Sequence, residues 1–165
     1  MNQIQRILIK PRGSDSGLRK AGARRGAAMI EMAVVLSVFL MLILGTFDLG
    51  MATYRYNTIS QAARQGARQA IVHGSLAAPA MTTWGPATYI GTAGDGSVYA
   101  QAVSPMLAGF TLSHVVIKVE WPDGGNSIQQ RVRFTVSTTY QPLLTTVFSS
   151  STYTHSAAST MPIAH

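Results

Sequence analysis

The residue types that could do chemistry gather at one junction, Arg24, Arg25, Gly26, Ala27, Ala28, Met29, Ile30 and Glu31. A basic run ends at a glycine, an apolar stretch begins at once, and Glu31 is the sole charged side chain between Ala27 and Phe47. A carboxylate on a lipid-facing helix is disfavoured by about 2.5–3.5 kcal/mol at the bilayer centre, and by less near the interface, so it asks for a cationic partner. Cleavage after Gly26 would create one. Ala27 would then carry a new α-amine and Glu31 would become the fifth residue, so the amine of one subunit could neutralise the carboxylate of its neighbour. The plain alternative is that Glu31, about one turn inside the membrane edge, simply reaches the headgroups.

Little else in the chain has the spacing of a reactive site. His73, His114, His155 and His165 are far apart and form no HExxH-type ligand pattern. The serines and threonines include no GxSxG elbow, and the acids beyond Gly26 make no paired motif. With no cysteine there are no disulfides and no thiolate metal or redox centres. These absences point to a non-enzyme with no cofactor and no metal site.

The elements that position the junction follow from hydropathy and charge. Ala27 to Phe47 would span about 31 Å as a helix, the thickness of a bilayer hydrocarbon core, and a chain of 165 residues has too little other structure to surround such a stretch. Seven of the 13 basic residues (Arg6, Lys10, Arg12, Arg19, Lys20, Arg24 and Arg25) precede it, against the single acid Asp15. That asymmetry puts the N-terminus in the cytoplasm and exports the rest. From residue 26 onward six basic residues face five acids, so the formal charge of +7 belongs to the leader. The scattered basics of the body argue against a nucleic-acid partner.

Beyond Asp48, small and apolar residues recur at steps of three and four (Leu49, Ala52, Tyr56, Ile59, Ala63, Gly66, Ala70), which predicts an amphipathic continuation of the helix from about Ala27 to His73, ending at Gly74. Residues 75–98, rich in Gly and Pro, read as an ordered loop, with a short helix possible over Tyr99 to Leu107. Alternation then predicts a hairpin over residues 112–140, with Val115, Ile117, Val119 and Trp121 on one side of its first strand and Val132, Phe134, Val136 and Tyr140 on one side of its second. Tyr153 to Met161, set off by the Pro142 to Ser151 connection, reads as a weaker third strand. The expected fold class is α+β: a long N-terminal helix, half transmembrane and half amphipathic, followed by a small antiparallel sheet domain.

At this point the sequence resembles type IV prepilins, whose leader is cut after glycine and whose mature chain carries glutamate at the fifth position. It is more closely similar to the TadE-like pseudopilins of tight-adherence (Flp) pilus systems. The resemblance rests on Arg24, Arg25, Gly26 and Glu31, on the exit Phe47, Asp48, Leu49 and Gly50, and on the stretch Ala62, Ala63, Arg64, Gln65, Gly66, Ala67 and Arg68. Met32, Ser37 and Gln65 depart from the family's usual residues. The resemblance implies a minor pilin-like protein of the bacterial inner membrane, cut between Gly26 and Ala27 by an aspartyl prepilin peptidase and acting in pilus assembly. Its implied partners are that peptidase, other pilins and pseudopilins, the assembly platform and inner-membrane lipid, with Glu31 setting the register between subunits. The division that goes with it is a leader 1–26, a transmembrane helix 27–48, an amphipathic extension 49–74 and an exported β-rich domain 75–165. The alternative of a different class is an uncleaved single-span protein whose exported domain binds a ligand or partner.

Overall fold

The computed structural model describes residues 16–143 and 151–164. The readings made for leader residues 1–15 and for most of the Pro142–Ser151 connection lie outside the described residues. Two units follow one another, the first closing at Ile43 and the second opening at Leu44.

Helix α1 runs Ser16–Ala70 and is shared by both units. It starts at Ser16 and not near Ala27, because Leu18 to Arg25 is mostly Ala, Lys and Arg, all good helix formers, with one isolated glycine. It stops at Ala70, three residues short of the expected end. The next turn tightens there: Val72 N–H donates to Gln69 O (3.3 Å) and His73 N–H to Ala70 O (3.2 Å).

In the first unit every side chain from Gly26 to Ile43 is exposed, Ile30 at 69% and Leu42 at 65%. An apolar helix with no protein cover is not the core helix of a soluble domain. α1 alone among the described helices is long and apolar enough to cross a membrane.

The second unit packs the last turns of α1 on a sheet of four antiparallel strands in the order β1-β2-β3-β4: β1 Tyr89–Thr92, β2 Val115–Glu120, β3 Arg131–Tyr140 and β4 Tyr153–Pro162. The predicted hairpin is β2–β3, with Val115 opposite Thr138, Ile117 opposite Val136 and Val119 opposite Phe134. Its inward residues are fully buried, whereas Lys118 and Glu120 face outward and pair at 2.8 Å. The loop after Glu120 is held by Asp123, whose carboxylate accepts from Arg131 N (2.8 Å), Nε (3.1 Å) and Nη2 (2.7 Å). The expected third strand is β4, an edge strand over ten residues.

Two readings need correction. The stretch 75–98 is not all loop, since β1 lies within it and pairs with β2, Tyr89 opposite Val119 and Gly91 opposite Ile117. Four residues with the one aliphatic, Ile90, facing solvent carry no alternation, so pairing alone defines the strand. The stripe on α1 is also shifted by one residue in its first turns. Asp48 and Arg55 turn inward in place of Leu49 (71% exposed) and Tyr56 (51%), while Ala52 is half-buried and Ile59, Ala63, Gly66 and Ala70 are buried as expected. Polar residues took inward positions because partners wait for them.

The remaining pieces seal the core. Helix α2, Val98–Val103, is capped by Ser97, whose hydroxyl accepts from Ala100 N–H at 3.1 Å, and it ends in a 3-10 turn, Ser104–Met106. The expected helix over Tyr99 to Leu107 is thus cut short by Pro105. Val103 and Leu107 are buried in the same core cluster as Trp84. Gly85, at φ +83°, lets the chain pass flat against the Trp121 ring, where a Cβ would stand 2.3 Å away.

Candidate functional site

Gly26, Ala27 and Glu31 all lie on α1 and are exposed. A Cβ added at Gly26 would meet nothing within 4 Å, and the peptide bond after it lies within the continuous helix α1. Ala27 and Glu31 are four apart and share one helix face, about 6 Å along the axis. Glu31 makes no ion pair among the described residues. A carboxylate so placed is available to a cation on another molecule.

The stretch Ala62 to Arg68 divides by face. Ala62, Ala63, Gly66 and Ala67 are buried and Arg64 and Arg68 are exposed. Small residues on the inner face bring the helix close to the sheet: a Cβ on Gly66 would lie 2.5 Å from Phe134 Cε1. Arg64 and Arg68 are solvated and form no ion pair among the described residues.

Asp48, the first residue beyond the apolar run, is a site residue that sequence reasoning noted without giving it a role. It is 8% exposed and accepts hydrogen bonds from the Tyr140 hydroxyl (3.1 Å) and Leu143 N–H (2.9 Å). The end of β3 is thereby tied to the helix where the apolar run stops. Arg55, two turns further on, places its guanidinium 5.0 Å from the Tyr140 ring centre and 5.2 Å from that of Phe110. Burial, and then the hydrogen bond to Asp48, push the Tyr140 hydroxyl pKa up. The signal in the sequence was an acid directly after 21 nearly uncharged residues, where a solvated charge and a buried anchor look alike.

Asp95 organises the turn between β1 and α2. Its carboxylate accepts from the Tyr89 hydroxyl, from Ser97 N–H (2.9 Å) and from Thr92 N–H (3.1 Å). These donors, Tyr89 first, hold its pKa at about 2. The histidines stay apart: His73 stacks on Trp84 with ring centres 4.5 Å apart, and burial lowers its pKa, whereas His155 lies 6.0 Å from Tyr140. Among the described residues no three His, Asp or Glu side chains come together as metal ligands.

The family model described as TadE-like protein matches residues 26–68. This segment is TadE-like. The match opens at Gly26 itself and closes at Arg68, so it takes in the junction, the apolar helix, Asp48 and the small-residue face. No curated protein and no solved structure matches the chain. The match lies on the uncovered apolar helix and its continuation, and the two together fit a single-pass membrane protein.

Proposed function

We propose that the chain is made as a TadE-like prepilin precursor, is cut after Gly26 by a prepilin peptidase, and then acts as a minor subunit in assembling a tight-adherence pilus. The observation that carries this reading is the TadE-like match beginning at Gly26, with Glu31 exposed one helical turn beyond Ala27. In this reading residues 1–26 stay in the cytoplasm, residues 27–48 cross the inner membrane, and the sheet domain is exported. The new amine of Ala27 pairs with Glu31 of an adjacent subunit and sets the axial register between helices. Other pilins and pseudopilins and the assembly platform are then the partners, together with the peptidase.

N-terminal sequencing of the membrane-resident protein tests the cut: the expected first residue is Ala27. Gly26→Leu should leave full-length precursor in the membrane, and normal processing of that variant would sink the prepilin reading. Glu31→Gln keeps the shape and removes the charge, so insertion should be as good or better while crosslinking to partner pilins and surface piliation fall. If Glu31→Gln is inserted, cut, crosslinked and piliated as wild type, the carboxylate is an interfacial residue with no part in assembly.

A further inference from the structure

Two cavities of the second unit are both lined by Tyr140. One is an apolar groove of about 400 Å³ lined by Leu49, Ala52, Tyr140, Pro142 and Tyr153 among others. The second, of about 280 Å³, is polar and is lined by Arg55, Thr111, His114, Thr139 and Gln141 as well as Tyr140. The groove opens beside residues 45–49, where the apolar run ends, and Phe47, Leu49, Leu143 and Tyr153 there are each more than half exposed (55%, 71%, 51% and 52%). Apolar side chains gathered so openly mark a surface that meets another molecule. Arg55, partly buried between two rings, forms no ion pair among the described residues.

We propose that this end of the second unit seats an anionic diacyl phospholipid of the surrounding bilayer, one acyl chain in the groove and the phosphate against Arg55. Continuity decides for a lipid over a soluble ligand. Within the second unit the exposed apolar residues Leu44 and Phe47 alternate along the helix with Gly45, Asp48 and Leu49, which line the groove, so the end of the apolar run and the groove form one surface. Depth agrees as well. Arg55 lies eight residues beyond Phe47, about 12 Å along the helix. Long side chains on a helix lean toward its N-terminus, which would bring the guanidinium toward a headgroup layer some 5–8 Å thick. A phosphate there would have the Arg55 cation, the His114 ring and the Thr139 hydroxyl around it, and no carboxylate lines that cavity. The site is independent of cleavage, because it needs only the span in a bilayer.

The test is to reconstitute the full chain in nanodiscs carrying a small fraction of phosphatidylglycerol or phosphatidylcholine with a diazirine in one acyl chain. Adducts are mapped after irradiation. Adducts should fall on Leu49, Ala52, Pro142 and Tyr153 as well as on residues 27–47. Phosphatidylglycerol should label the groove about fivefold more than phosphatidylcholine, the ratio that one basic residue contributes at an anionic surface. Arg55→Gln should bring the two yields level and Arg55→Lys should keep the preference. Ala52→Phe should fill the groove and remove adducts at Tyr153 while those on 27–47, which report insertion, stay the same. Adducts confined to 27–47, equal labelling by both lipids in wild type, a preference that survives Arg55→Gln, or a second copy of the chain crosslinked across the groove would each overturn the proposal.

Discussion

Replacing Gly66 by alanine tests whether the extension of α1 is seated on the sheet as described. The added Cβ would stand 2.5 Å from Phe134 Cε1 and 2.6 Å from Cδ1 and Cζ. Carbon atoms are comfortable at about 3.5–4.0 Å, so ring or helix must give by about 1 Å. Phe134 is fully buried, and a close-packed core yields such a shift at about 1–3 kcal/mol. Against this, Ala in a helix is favoured over Gly by ~1 kcal/mol. Gly50 on the same helix is the internal reference: a Cβ there meets nothing within 4 Å, so Gly50→Ala gains helix propensity without a clash. The two variants should therefore differ by about 1–3 kcal/mol, with Gly66→Ala the less stable. At roughly 4 °C per kcal/mol for a domain of this size, their melting temperatures should lie about 4–12 °C apart. The assay is thermal unfolding of the full chain in detergent, followed by emission of Trp84 and Trp121, the two tryptophans of the chain, both buried. Phe134→Leu combined with Gly66→Ala should recover part of the loss, because the ring is what the methyl meets. If Gly66→Ala raises the melting temperature as Gly50→Ala does, the helix does not rest on Phe134 and the packing argument fails.

Other perturbations follow from the same contacts. Ile117→Asp buries an unpaired carboxylate at a fully buried position and should cost several kcal/mol, whereas Lys118→Asp, on the outward face beside Glu120, should cost less than ~1 kcal/mol; equal protease sensitivity would contradict the register. Asp48→Ala leaves both the Tyr140 hydroxyl and Leu143 N–H without their acceptor and should destabilise more than Tyr140→Phe, at about 1–3 kcal/mol for each stranded donor; the reverse order in a denaturant melt would show that the carboxylate does not anchor β3. Asp95 and Asp123 have pKa values of about 2 in the fold against an ordinary 3.8, so what they contribute is complete above pH 3.8 and is lost as pH falls toward 2. Asp95→Asn with Asp123→Asn should flatten the acid limb of the stability profile, and an unchanged limb would remove both carboxylates from the account.

How much of this was legible depends on the range over which each signal acts. The apolar run from Ala27, the lone Glu31 and the glycine before it are local facts, because hydropathy and charge belong to each residue as it stands in the chain. The hairpin was equally open to reading, since one buried face imposes a period of two on Val115 to Val119 and on Val132 to Val136. β4 was dimmer: Ser, Thr and Ala alternate weakly, and its identity comes from ten partners on β3. β1 could not be read at all, because Tyr89 to Thr92 become a strand only by pairing with residues some 27 positions away. The inward turn of Asp48 and Arg55 has the same cause. Periodicity assigns the inner face to the apolar neighbours Leu49 and Tyr56, and only the Tyr140 hydroxyl, the Leu143 amide and two aromatic rings, all more than 50 residues away in sequence, make the polar pair the better occupants. The chain's own order thus determined the apolar helix, the residues of the junction and the sheet's main hairpin, while the groove beside Tyr140 and the anchor at Asp48 exist only because folding brings the end of β3 to the point where the apolar run stops.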